Sequence, residues 1–279
     1  MFNLIMAILT SASTGILMRV SEKYIRGKIS MLSVNYIVCS ALAALYVGSA
    51  GLFPTAENGF SFVLWLGGVN GILYLVSFIL LQWNVTHNGV VIASTFQKLG
   101  VMVPIAAAVI FYGEQPGIPQ LIGYAGALGA IAMIHFDGES GKAHSRLALL
   151  LLPLTGGTAS ALSKVIERAS LPALEDHFLF YTFAAALVLS LVVVVKNGER
   201  IGARELLFGI LVGVPNYFSA SFMLRCLTDI PAVIAFPIYS VGGIMVASVA
   251  GVVFFHERLS RRRWTALAII MCSIVLLNL

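Results

Sequence analysis

The sequence predicts an all-α polytopic membrane protein with ten transmembrane helices. Three observations carry that prediction. Of the 279 residues, 59% are hydrophobic and only 10% are charged, whereas soluble domains carry about 25% charged residues. The apolar residues fall in long charge-free runs. One of them, residues 58–97, extends over 40 residues, twice the ~20 needed to cross a bilayer. Ten such spans take about 200 residues, which leaves loops and no soluble domain. Backbone amides find no water in hydrocarbon, so each span is expected to be a helix.

Taken in order, the first span is residues 1–18 and the second lies within 29–56. Met1 to Met18 lacks the positive n-region of a signal peptide, so this segment reads as a retained span. The run 58–97 divides at Trp83-Asn84-Val85-Thr86-His87-Asn88-Gly89 into spans three and four, with span four continuing through Lys98 to Tyr112. Span five follows Pro116 and Pro119 and ends near Phe136. Spans six to ten are expected near 146–164, 176–195, 204–225, 230–255 and 262–278. The connector Asp137 to Arg146 is polar and contains glycine, so residues 137–145 read as a linker between five-span halves 1–136 and 146–279.

The halves show an internal repeat. A shift of 143 residues aligns Phe111–Gln115 with Phe254–Arg258, Phe96 with Tyr239 and Gly100 with Gly243. A shift of 145 aligns Leu9-Thr10 with Leu154-Thr155, Arg19-Val20 with Lys164-Val165, and Glu22-Lys23 with Glu167-Arg168. Span three carries Gly67-x-x-x-Gly71 and span eight Gly209-x-x-x-Gly213. These pairs read as close-packing positions, inside one chain or at the seam of a homodimer. Five spans per half is an odd number, so the second half enters the membrane inverted. Inverted repeats are the usual architecture of alternating access, with the substrate near the midplane. Loops after spans one, three, five, seven and nine hold 13 of the 17 Lys and Arg, against 3 in the opposite loops. The positive-inside rule then places both termini outside the cytoplasm of a cell (plasma) membrane. It also accounts for the net charge of +5 without a nucleic-acid partner.

The aromatic-x-x-Glu endings Phe111-Tyr112-Gly113-Glu114 and Phe254-Phe255-His256-Glu257, on two inverted five-helix halves, resemble the EamA-type branch of the drug/metabolite transporter superfamily. The resemblance covers essentially the whole chain. It implies a carrier of small organic metabolites with no ATP motif, and it implies termini on the cytoplasmic side, opposite to the charge count. His256 stands where the family has glycine, and span one lacks the family's Trp.

Lys98 is the most informative single residue. It lies about 15 Å along span four at 1.5 Å per residue, near mid-depth. A Lys there costs ~2.5–3.5 kcal/mol on insertion scales and by default marks a pathway or a paired site. Its repeat mate is Val241, so the fold does not require the cation, and Lys98 is expected to bind an anionic group or to act as a charge-compensating switch. His87, Ser94, Lys98, Val101 and Ile105 share one face at helical period. Gln97 and Thr95 flank Lys98, and Tyr239 and Ser240 occupy the corresponding stretch of span nine. Asn70 and Tyr74 in span three, with Asn216 and Tyr217 in span eight, complete the expected substrate-binding set. Pro104 and Pro237 leave the carbonyls of Gly100 and Val233 without helical partners. Glu114 and Glu257 read as solvated helix ends, Lys164 and Arg225 as loop cations.

No H-E-x-x-H, G-x-x-x-x-G-K-[ST] or G-x-S-x-G motif occurs, so the sequence points to no metal, nucleotide or nucleophile chemistry and no cofactor. The three cysteines, Cys39, Cys226 and Cys272, form no metal pattern. Expected partners are a small-molecule substrate, membrane lipid and protons as coupling ion. A channel or lipid-handling scaffold is the alternative class, and an intramembrane enzyme a weaker one.

Overall fold

The computed structural model describes residues 1–48, 51–54, 58–88, 96–97, 99–135, 146–169, 171, 174–255 and 261–277. Among the described residues the regular structure is helical, with no strand. The helices are α1 (Phe2–Ser21), α2 (Lys28–Val47), α3 (Phe60–Asn88), α4 (Met102–Tyr112), α5 (Ile118–His135), α6 (Arg146–Arg168), α7 (Glu175–Asn197), α8 (Ala203–Asp229), α9 (Ala232–Phe255) and α10 (Arg261–Leu277). Six of them, α1, α2, α3, α6, α7 and α8, contain stretches long and apolar enough to cross a membrane; Met102–Tyr112, Ala232–Val246 and Trp264–Ser273 are shorter apolar helices. Large apolar side chains point outward, with Phe111 and Val195 at 76% and 79% exposed. That surface suits lipid, where it needs no polar cover.

The chain forms two compact units, Met1–Leu75 with Val165–Thr228, and Val76–Lys164 with Asp229–Leu279. In the first unit α2 packs on α7, around the fully buried Phe178, Phe183 and Tyr217. Glycines set the spacing of its helices. A Cβ on Gly67 would lie 2.7 Å from the Cβ of Tyr181, and one on Gly71 would lie 2.7 Å from the Cβ of Ala185. A Cβ on Gly213 would lie 2.7 Å from that of Val38, and Gly209 lies as tightly on Val34. Contact numbers rise together along both helices in each case, so α3 runs parallel to α7 and α8 parallel to α2. All four glycines of the Gly-x-x-x-Gly pairs therefore serve packing within the chain. At one end of this unit Glu205 accepts the amides of Arg26 (2.9 Å) and Gly27 (3.4 Å), and Glu199 accepts Ser30 N (3.1 Å) and Ser30 Oγ (2.9 Å). These carboxylates join the α1–α2 connector and the start of α2 to the α7–α8 connector and the start of α8, so Arg19, Lys23, Arg26, Lys28, Lys196, Arg200 and Arg204 gather at one end of the unit.

In the second unit α10 packs on α5, and α9 contacts α4, α5 and α10. Ala127, Ala130, Val241, Ile244 and Ala266 form its core. Small residues let the α4 end meet α6: a Cβ on Gly157 would lie 2.7 Å from that of Val103, and one on Gly100 3.0 Å from the carbonyl oxygen of Pro153.

Several boundaries differ from the sequence expectation. The helix before the segment around His87 runs further than expected, since α3 continues to Asn88, at the far end of that segment. Asn84 is buried and its Nδ2 donates to the carbonyls of Leu80 (2.8 Å) and Ala148 (3.0 Å), which anchors α3 to α6 where polarity alone suggested a loop. His87 therefore ends α3, its Nδ1 2.9 Å from the carbonyl oxygen of Trp83, and does not share an observed helix with Val101 and Ile105. The fourth span instead turns at Gly100–Val101, and α4 starts at Met102. Pro104 has no N–H for the carbonyl of Gly100, which accepts Val103 N at 3.1 Å in a tighter turn. Lys164 and Arg225 lie inside α6 and α8 rather than in loops.

Candidate functional site

Within the first unit, polar side chains from four apolar helices meet in a buried layer. Asn70 on α3 is 2% exposed, and its Nδ2 donates to Thr182 Oγ1 on α7 at 3.2 Å. Asn216 on α8 donates from Nδ2 to Asn35 Oδ1 on α2 at 3.1 Å. The Cys39 thiol donates to the carbonyl of Gly213 at 3.3 Å. Aromatic rings line the same helices. Phe183 has Tyr74 edge-on at 6.2 Å and Tyr217 at 6.3 Å, and Tyr46 lies 5.6 Å from Tyr217. The Arg225 guanidinium stands 5.7 Å over Tyr46 and 3.9 Å from Asp176.

Hydrogen-bonding capacity remains in this layer. Among the described residues, Asn70 Oδ1, Asn35 Nδ2 and Ser40 Oγ are buried with no protein partner. An unmet buried polar atom costs ~1–3 kcal/mol, so such atoms favour a polar molecule that supplies the missing bond. Gly71 and Gly213 sit beside this layer, one against Thr182 and the other against Asn35. The small residues thus bring the polar side chains of neighbouring helices within hydrogen-bonding reach.

Four of the sequence-predicted residues, Asn70, Tyr74, Asn216 and Tyr217, belong to this layer. Three others belong to the second unit: Gln97 is exposed, while Tyr239 and Ser240 are half-buried on α9. Lys98, Thr95 and Ser94 lie outside the described residues. Sequence reasoning missed Asn35, Thr182 and Cys39. In the fold, Asn35 and Thr182 each pack on the second glycine of a Gly-x-x-x-Gly pair, one in each half, a contact between distant segments that the sequence does not display.

The second unit holds a buried ion pair that the sequence reading also missed. The Phe111-Tyr112-Gly113-Glu114 stretch ends α4, with Gly113 left-handed at φ 65°, a conformation open to glycine at little cost. Glu114 N then donates to the carbonyl of Ala108 at 3.2 Å, which closes the helix end and turns the carboxylate inward. Glu114 Oε1 lies 3.3 Å from Lys164 Nζ on α6, with the two side chains 16% and 8% exposed. Glu114 Oε2 accepts Val233 N at 3.0 Å, in the first turn of α9, where the helix dipole favours an anion. The Val233 carbonyl, freed by Pro237, accepts the Tyr124 hydroxyl at 2.5 Å. Glu114 is therefore not a solvated helix end, nor Lys164 a loop cation. Their side chains tie α4, α6 and α9 together.

Residues 146–279 match the model of the EamA-like transporter family. That match supports membership of the drug/metabolite transporter superfamily, and with the apolar helices it makes the chain an integral multi-pass membrane protein. A protein of Haemophilus influenzae (strain ATCC 51907 / DSM 11121 / KW20 / Rd), described as uncharacterized, is 22% identical over 98% of this chain and 96% of its own length. A solved crystal structure is similar with a TM-score of 0.75 and 15% identity, over 99% of this chain and 94% of that one. At that identity the similarity is one of fold.

Proposed function

We propose that the protein is a secondary carrier that moves a small organic metabolite across the cell membrane by alternating access. Its ten helices act as two inverted five-helix repeats, 1–136 and 146–279. The observation that carries this reading is the exchange of partners between equivalent helices: the glycine pair of α3 packs on α7, and that of α8 packs on α2. Helices two and seven, and three and eight, are repeat mates, so these are the same contact made twice. The parallel directions of both pairs agree with single crossings that alternate in direction. The family match begins at residue 146, where the second repeat starts, which supports the same division.

The substrate binds through polar groups set in apolar helices, which is the usual make-up of a small-molecule site. Asn70 and Asn216 supply hydrogen bonds, Tyr74 and Tyr217 supply ring faces, and Lys98, with Ser94, Thr95 and Gln97 beside it, supplies a cation for an anionic group. Tyr239 and Ser240 serve from α9. A proton gradient drives accumulation. Both termini lie outside the cytoplasm, a reading supported by the Lys and Arg count and by the gathering of seven of those cations at one end of the first unit.

A thermal-shift screen of purified protein against amino acids, sugars, nucleosides and organic acids tests this reading, since a compound that binds the native state raises its apparent stability. Stabilisation by one chemical class, lost in Asn70→Leu and Lys98→Met, is the expected result. Unitary currents across a planar bilayer would replace the carrier with a channel, and conversion of the stabilising compound in detergent would replace it with an enzyme.

A further inference from the structure

We propose that a cavity between the α1–α2 and α7–α8 connectors binds the phosphodiester headgroup of an anionic membrane lipid, with Arg26 and Arg200 holding the phosphate. The inference goes beyond the carrier reading and concerns a different part of the first unit. The cavity has a volume of about 400 Å³ and is lined by Arg26, Gly27, Glu199, Arg200, Gly202 and Glu205. Small-ligand sites span roughly 300–1,000 Å³, so a lipid headgroup is within its capacity.

Two guanidiniums and two carboxylates line this cavity, yet they do not pair with one another. Glu205 is taken up by the amides of Arg26 and Gly27, and Glu199 by the amide and hydroxyl of Ser30. Glycine makes room for both acids. A Cβ on Gly27 would lie 2.9 Å from Glu199 Oε2, and one on Gly202 would lie 2.7 Å from Glu205 Oε2. The carboxylates are thus committed to the backbone they join. Among the described residues neither Arg26 nor Arg200 has an ion-pair partner. A guanidinium is a planar fork that matches the oxygens of a phosphate through paired N–H bonds, and here each of the two connectors presents one.

The setting narrows the ligand further. The seven Lys and Arg at this end of the unit face three carboxylates, Glu22, Glu199 and Glu205, so a net anionic headgroup is favoured over a zwitterionic one. Anionic lipids are drawn to such basic juxtamembrane segments. Glu199 and Glu205 favour a headgroup that carries a hydroxyl donor beyond its phosphate. Ile201, Leu206 and Leu207, beside Arg200 and Glu205 in the chain, are exposed aliphatic side chains that suit acyl chains. Exposed Tyr24 stacks on Phe208 at 5.6 Å, and a tyrosine between charged and apolar surface is the usual mark of a membrane interface. A free anion would use the arginines alone, whereas a lipid uses the arginines and the apolar border together. Bound there, it bridges Arg26 on one connector to Arg200 on the other.

Native mass spectrometry of the whole delipidated protein in mild detergent, titrated with dioctanoyl lipids, tests the assignment. Dioctanoyl phosphatidylglycerol should bind at least tenfold more tightly than dioctanoyl phosphatidylcholine or phosphatidylethanolamine. R26Q/R200Q should lose at least tenfold of that affinity, and K23Q/K196Q, which removes two cations of the same end outside the cavity, less than twofold. Both arginine side chains are exposed; R200Q alone, expected to lose at least threefold, gives the same test if the double variant does not fold. Equal losses in the two double variants would overturn the proposal in favour of diffuse surface attraction. Equal binding of the three lipids would overturn the anionic headgroup. Displacement of phosphatidylglycerol by sodium phosphate, at ionic strength matched with sodium chloride, would replace the lipid with a free anion. None of these readouts depends on a transported compound.

Discussion

The α3–α7 contact yields a prediction whose sign changes within four residues. A Cβ on Gly71 would lie 2.7 Å from Ala185 Cβ and 2.9 Å from Ala186 N. Ordinary contacts begin near 3.4 Å, and the Thr182 carbonyl oxygen lies closer still than Ala185 Cβ, so the helices must separate by more than about 0.7 Å locally. The opposing atoms are the Thr182 carbonyl oxygen, the Ala186 amide and the Ala185 Cβ, which cannot rotate away. Overpacking of this kind costs ~1–3 kcal/mol, against a gain of ~0.5–1 kcal/mol from replacing a helical glycine with alanine. Gly71→Ala should therefore lose about 1–2 kcal/mol net. A methyl group on Gly68 would meet nothing within 4 Å, so Gly68→Ala should gain about 0.5–1 kcal/mol. If the repeat reading holds, Gly213→Ala, which meets Val38 Cβ at 2.7 Å, should lose as much as Gly71→Ala. Unfolding by SDS in mixed micelles, followed by tryptophan fluorescence, resolves differences of this size. Gly71→Ala as stable as Gly68→Ala would refute the close packing of α3 on α7.

Three further outcomes are expected. A reporter fused after Leu279 should lie outside the cytoplasm; cytoplasmic activity would refute the orientation taken from the Lys and Arg count. Lys98→Met should insert and fold but lose substrate-dependent thermal stabilisation, with Lys98→Arg keeping part of it because a planar guanidinium retains the charge in a different geometry; full uptake by Lys98→Met would leave the cation with a structural role. Asn70→Leu removes one hydrogen bond together with an unmet buried acceptor, so its stability should change by less than about 1 kcal/mol while ligand stabilisation falls; a large loss of fold stability would assign Asn70 to helix packing.

The sequence carried the helical class and most spans because bilayer thickness fixes the length of an apolar run, whatever its neighbours. The small-residue seams were also legible, since Gly-x-x-x-Gly has a local spacing. Polarity misled at Asn84, where a tertiary partner holds the side chain within α3: Asn84 spends its amide on Leu80 and Ala148. The Val233 carbonyl was foreseeable as an orphan from Pro237, but not its donor, because Tyr124 lies 109 residues away in sequence. Glu114 and Lys164 looked like solvated ends for the same reason. Each sits near a helix terminus, and only the packing of α4 against α6 and α9 shows that those termini are buried. Asn35 and Thr182 were passed over because single polar residues in apolar helices give no periodic signal, and their pairing with Asn216 and Asn70 is a property of the fold.

Counterflow in proteoliposomes tests the central claim most directly. Vesicles are loaded with the compound that gives the largest shift in the thermal screen, and entry of trace radiolabelled compound is followed with no ion gradient. A carrier that alternates between two faces predicts saturable uptake, with transient accumulation above equilibrium that disappears when the internal compound is omitted. Entry that rises linearly with concentration and is indifferent to the internal compound would contradict alternating access and leave a pore in its place.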